Sequence, residues 1–296
     1  MRIYGLDFTS APSSRKPITC AECTLAANML QLHACKSLPT LVDFETFLRA
    51  DGPWLAALDF PFGQPRALIE HLGWPATWEG YMDIIASIDK ATFEATLQRF
   101  MDAHPPGQKL LLRATDILAG ARSPMMLHRV PVAKMFFVGA IRLFRSNVSI
   151  LPCHPTPDNR IVIEGYPALV ARRLIGKRGY KSDERGKQTA EQETARREIV
   201  NGLRSGALIV SHGLAVQMSD DMAASLVKDA MGDKLDAVLC AVQAAWAYLE
   251  RRSGYNIPLD AHSLEGLIVD PFLSNEPAGV ITPAPPQSRP ALRSPR

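Results

Sequence analysis

The stretch "ALDFPFGQPR", residues 57–66, decides how this chain is read. Its apolar run carries a carboxylate, Asp59, and Pro61 stops it shortly after. An acid before a turn is ordinary turn chemistry when it occurs once. Here the pattern occurs three times. "IYGLDFTSAP" places Asp7 after Ile3–Leu6 with Pro12 beyond, and "RIVIEGYPA" places Glu164 after Ile161–Ile163 with Pro167 beyond. Three short apolar runs end in acids, and prolines bar each from continuing. What matters is whether the fold brings these acids together.

The chain has 296 residues, 47% hydrophobic and 21% charged, a globular composition with enough length for a sizeable core. A net charge of +3 is too small to imply a nucleic-acid partner by itself, so such a partner must be read from local clusters. Asp7 interrupts the first apolar run, which argues against a signal peptide. No uncharged apolar segment approaches the ~18 residues of a membrane span. Five scattered cysteines, an odd number, suit a reducing compartment better than a disulfide framework. These features predict a soluble, cytoplasmic protein. Cys20 and Cys23, with His33 and Cys35 following, have the residue types of a zinc site, but the stretch reads better as two strands of a hairpin.

Residues 2–8, "KPITCAECTL" and "MLQLHACKSL" predict three strands in a meander. "LPTLVDFETFLRADG" predicts a helix that Thr40 or Asp43 caps and Gly52 follows. Residues 54–60 form a fourth strand, apolar enough to be covered on both faces. A segment of mixed helical character, about 61–147, reads as an insertion after that strand. "VSILPC" and "RIVIEGYP" predict further strands. Between 172 and 187 lie seven Lys or Arg against two acids, a candidate phosphate-backbone contact. "SDDMAASLVKDAM" begins with a helix cap at Ser219. "DKLDAVLCAVQAAWAYLERRSG" predicts the strongest helix, with Leu235, Leu239, Val242, Trp246 and Leu249 on one face. Residues 276–296 hold six prolines and read as a disordered tail, leaving one domain over 1–275.

This order predicts an α/β fold, an RNase H-like mixed sheet whose first three strands are antiparallel, flanked by helices. In such a sheet the first and fourth strands are parallel neighbours. Asp7 and Asp59 then open onto the carboxyl edge, where open α/β sheets bind ligands. Asp236 on the last helix can reach the same edge. Asp233 reads as that helix's N-cap, and Asp236 can instead favour the helix dipole. Two carboxylates at 4 Å repel by ~4 kcal/mol at an effective dielectric of 20. A proton or a cation must relieve this, and an all-oxygen cluster suits Mg²⁺ or Mn²⁺. Gly5 is expected to serve close packing against its strand.

"YGLDFTSAP", "LDFPFG", "RATDILAGARSPM", "KMFFVGAIRLF", "IEGYPALVARRLIGKRGYKSD" and "GDKLDAVLCAVQAAWAY" together resemble the domain-of-unknown-function family of predicted RNase H-like nucleases, DUF429, from Met1 to about Pro271. The resemblance implies metal-binding, catalytic acids at Asp7, Asp59, Glu164 and Asp236. It also implies substrate-binding roles for Arg113, in an R-x-x-D pair with Asp116, and for Lys181 in "YKSD". The expected activity is metal-dependent hydrolysis of phosphodiester bonds in DNA or RNA. Two other readings stay open. "GLDFTSAPSSRK" resembles the first phosphate loop of actin and sugar-kinase phosphotransferases, although "DFPFGQP" lacks their second Gly-rich turn. A non-catalytic nucleic-acid-binding or scaffold protein would use the same acids for caps and ion pairs.

Overall fold

Trp54, Leu55, Ala56, Ala57 and Leu58 are all buried, as a strand covered on both faces requires. They form the fourth strand of the computed structural model, which describes residues 1–258 and 263–273. The tail expected over 276–296 lies outside the described residues. The strands are β1 (Arg2–Asp7), β2 (Ile18–Ala26), β3 (Met29–Leu38), β4 (Trp54–Leu58), β5 (Ser149–Leu151), β6 (Arg160–Glu164) and β7 (Ala215–Gln217). They make one mixed sheet in the order β5-β6-β4-β1-β2-β3-β7. β1, β2 and β3 are antiparallel neighbours, while β1, β4, β6 and β5 run parallel. The α/β class, the antiparallel first three strands and the parallel pairing of the first with the fourth are as the sequence predicts. β7 was not anticipated. It has three residues and pairs with β3 over Met29–Gln31, too short a run to show a period.

Successive residues point to opposite faces of the sheet, so each face has its own core. On one side Leu6, Leu58 and Val162 pack with Phe44 of the helix Leu41–Leu48 and with Trp78, Phe93 and Phe136 of the insertion. The insertion is helical, with helices at Arg66–His71, Trp78–Ser87, Lys90–Ala103, Ala114–Ala119 and Val132–Phe144. On the other side Ile3, Leu55 and Ile163 pack with Leu239 and Val242 of the helix Asp233–Leu249. Cys20 belongs to the first core and Cys23 to the second. Their thiols point to opposite faces of β2, which the three-residue spacing within a strand explains. Thr40 and Ser219 cap their helices as expected, Thr40 in a capping box with Asp43.

The helix Asp233–Leu249 lies unusually close to β1, because Gly5 faces Ala237 and Ala241. A Cβ on Gly5 would stand 2.1 Å from both the Ala237 carbonyl oxygen and the Ala241 backbone nitrogen. Backbone cannot rotate away as a side chain can. Gly5→Ala is therefore expected to cost about 3 kcal/mol or more, the upper range for an overpacked core. Urea denaturation checks this. A loss below about 1 kcal/mol would show that the helix can retreat from the sheet.

Candidate metal centre

Parity along the strands decides which acids meet. In β1, Ile3, Gly5 and Asp7 face the helix Asp233–Leu249. In the parallel register Leu6 stands beside Leu58, and the Asp59 amide donates to the Leu6 carbonyl at 3.0 Å. Asp59 is thereby level with Asp7 and on the same face. Asp236 lies in the first helical turn, above that face. One carboxylate oxygen from each of Asp7, Asp59 and Asp236 lies within 4.8 Å of the others. Asp7 and Asp236 are buried at 8% and 1% exposure, whereas Asp59 is half-buried.

Glu164 does not join them. It pairs in register with Leu58, one residue short of Asp59, and so points to the opposite face. Gly165 occupies the position level with Asp59. A Cβ there would meet Cys240 and Gln243 of the helix at 3.2 Å. Glu164 instead accepts from the Arg113 guanidinium at 2.5 and 2.8 Å and from the Phe62 amide at 3.0 Å.

Arg113, which the resemblance makes a substrate contact, is engaged inside the protein instead. It is 2% exposed, and its donors all end inside the protein. Nε and Nη2 bond Asp116 at 3.0 and 2.7 Å, Nη2 and Nη1 bond Glu164, and Nη1 also bonds the Glu265 carbonyl at 2.9 Å. A guanidinium has five N–H groups, and these contacts engage all five. Burial would lower its pKa, but Glu164 and Asp116 more than offset this and hold it well above the ordinary value. Arg113 is thus a fastener between the insertion, the end of β6 and the segment 263–273.

Lys181 is exposed, but its ammonium turns in to the acid cluster. Its ammonium contacts Asp236 Oδ2, and the Tyr180 hydroxyl donates to Asp236 Oδ1 at 2.6 Å. Burial lowers the Lys181 pKa, while Asp236 and Asp7 raise it to a net value well above the ordinary one, so it stays charged. Tyr180 sits within the quoted "GYKSD" motif but was not singled out in the sequence. Arg196 was missed entirely. It is 3% exposed and bonds the Tyr180 and Val227 carbonyls at 2.8 Å, which fixes the loop carrying Lys181. No sequence pattern marks it, because its work is done on backbone oxygens.

Asp233 is the first helical residue, not the N-cap. The cap position is Gly232 at φ +77°, where a Cβ would strike Lys181 at 2.8 Å. Asp229 takes over the capping role by accepting from the Lys234 amide at 2.9 Å. His154 contacts Glu79 at 2.7 Å and stacks on Trp78 in the insertion.

The charges in the cluster do not balance. Three carboxylates and one ammonium leave two negative charges when all are ionised. Burial first, then the neighbouring acids, raises Asp7 well above the ordinary carboxylate range, against the opposing pull of Lys181. The same causes push Asp59 up to about 7. Each Asp236 oxygen keeps a second lone pair beyond its bond to Tyr180 or Lys181. Hard oxygen donors with a deficit of two positive charges fit a divalent cation such as Mg²⁺ or Mn²⁺. Asp59 also lines a cavity of about 190 Å³ between the sheet edge and the insertion.

Among the described residues no helix is long and apolar enough to cross a membrane. No curated protein and no solved structure matches the chain. Residues 146–260, which carry Glu164, Lys181 and Asp236, match the family described as protein of unknown function, DUF429, the family that the sequence motifs resemble.

Proposed function

We propose that this protein is an RNase H-like nuclease that hydrolyses phosphodiester bonds in nucleic acid with Mg²⁺ or Mn²⁺ held by Asp7, Asp59 and Asp236. The observation that carries the reading is the meeting of three carboxylates within 4.8 Å at the carboxyl ends of two parallel strands. A divalent ion bound there supplies Lewis-acid stabilisation of charge on the phosphate oxygens. The chain's own groups do the rest. β1, β4 and the close-packed helix hold the acids in place. Lys181, 39% exposed, presents its ammonium next to Asp236, where a phosphate can share it. Lys177 and Arg185 are exposed on the same basic stretch and offer charge to the flanking backbone. Glu164 serves the site at one remove, by holding the turn that follows Asp59 through the Phe62 amide.

Cation binding should tighten as pH rises. Asp59 is pushed up to about 7 and Asp7 lies well above its ordinary range, so below neutrality the ion must displace at least one proton. The apparent Kd for Mn²⁺ is expected to fall about tenfold per pH unit between about pH 5 and pH 7. Calorimetric titration of the nucleotide-free protein with manganese chloride checks this, followed by hydrolysis of a labelled oligonucleotide. A Kd that ignores pH counts against these acids as ligands. Binding of ATP–Mg without oligonucleotide cleavage replaces the nuclease with a phosphotransferase.

A further inference from the structure

We infer that the cavity beside Asp59 receives a single unstacked nucleobase, so that the substrate is cut where it is single-stranded or splayed open. This rests on the nuclease reading above. The cavity measures about 190 Å³, below the about 300–1,000 Å³ of pockets that bury drug-sized ligands. One planar ring system fits it, whereas a stacked base pair does not. Phe60, Val132 and Met135 give it apolar walls, and Tyr166 adds an aromatic ring. Single-stranded nucleic acid is held by such surfaces, because every base has a face to stack.

Its floor tells a base from a phosphate. The floor is the Arg113 network, with two carboxylates to one guanidinium. That excess of negative charge repels a phosphate and accepts a neutral base. Arg122 is exposed on the same cavity and has no acid partner among the described residues, so it can take a phosphate outside. Asp59 is common to the cavity wall and the acid cluster. A base seated in the cavity therefore brings its own backbone to the acids.

The test compares a fluorescent single-stranded oligonucleotide, as DNA and as RNA, with its blunt duplex. Three proteins are used: the parent, Val132→Trp, which fills the cavity, and Arg122→Ala. The parent should show at least a tenfold lower KM for the single strand in one of the two chemistries, about what one base–aromatic stack contributes. Val132→Trp should raise that KM about tenfold while the calorimetric Kd for Mn²⁺ stays as in the parent. Arg122→Ala should raise it several-fold, also with Mn²⁺ affinity unchanged. Equal cutting of single strand and duplex overturns the inference and leaves the nuclease standing, as does an unchanged KM in Val132→Trp. If no oligonucleotide is bound or cut, both readings fall.

Discussion

Arg113→Ala is expected to unfold the protein near neutral pH. The substitution leaves Glu164 and Asp116 buried, at 2% and 1% exposure, without the cation that compensates them. Removing one partner from a buried ion pair costs about 3–5 kcal/mol, and two carboxylates share this one. Whole domains are stable by only about 5–15 kcal/mol. Arg113→Lys should recover little, because an ammonium cannot form the paired contacts that the guanidinium makes with each acid. Replacing the whole network by neutral groups, with Arg113→Met, Asp116→Asn and Glu164→Gln together, should recover more than Arg113→Lys does. Circular dichroism and urea denaturation of these variants check the order. A loss below about 1 kcal/mol in Arg113→Ala would show that the acids find other partners or simply take up protons.

Asp7→Asn should lose metal-dependent cleavage by about 10³-fold or more while making the metal-free protein more stable at pH 8. The first part follows from the several kcal/mol that a correctly held cation contributes to charge stabilisation. The second follows from linkage. Burial and neighbouring acids raise the Asp7 pKa in the folded state above its unfolded value. The folded protein then binds more protons than the unfolded chain between those two values, so stability falls as pH rises through them. Asparagine keeps the shape and removes the titration. The gain in melting temperature should be largest above pH 7, with EDTA present, and should vanish near pH 4. A variant that stays active, or one that is destabilised at pH 8, would remove Asp7 from the proposed centre.

The acids differ in how legible they were. Asp7 and Asp59 could be read because each ends an apolar run and their strands are adjacent and parallel, so both meet the same edge. Asp236 could be read because the apolar face of its helix had to pack on the sheet. Glu164 follows the same rule of position but lies one residue out of step with Asp59. That offset depends on the β4–β6 register, which no single strand reveals. Arg113 and Lys181 were both read as substrate contacts because the resemblance carries their R-x-x-D and YKSD motifs. Whether a cation's donors are already engaged depends on groups far away in sequence, such as Glu164 and the Glu265 carbonyl for Arg113. The helix start was misread at Asp233 because Gly232 takes a left-handed conformation that places the cap one residue earlier.

The closeness of the last long helix to the first strand, set by Gly5 against Ala237 and Ala241, carries a consequence for synthesis on the ribosome. Asp7 and Asp59 are made well before Asp236. Until then the middle of the nascent sheet lacks its cover on one side. Affinity for manganese should therefore appear only once the helix Asp233–Leu249 has been made, and chains stalled before residue 233 should be captured by chaperones rather than by the ion.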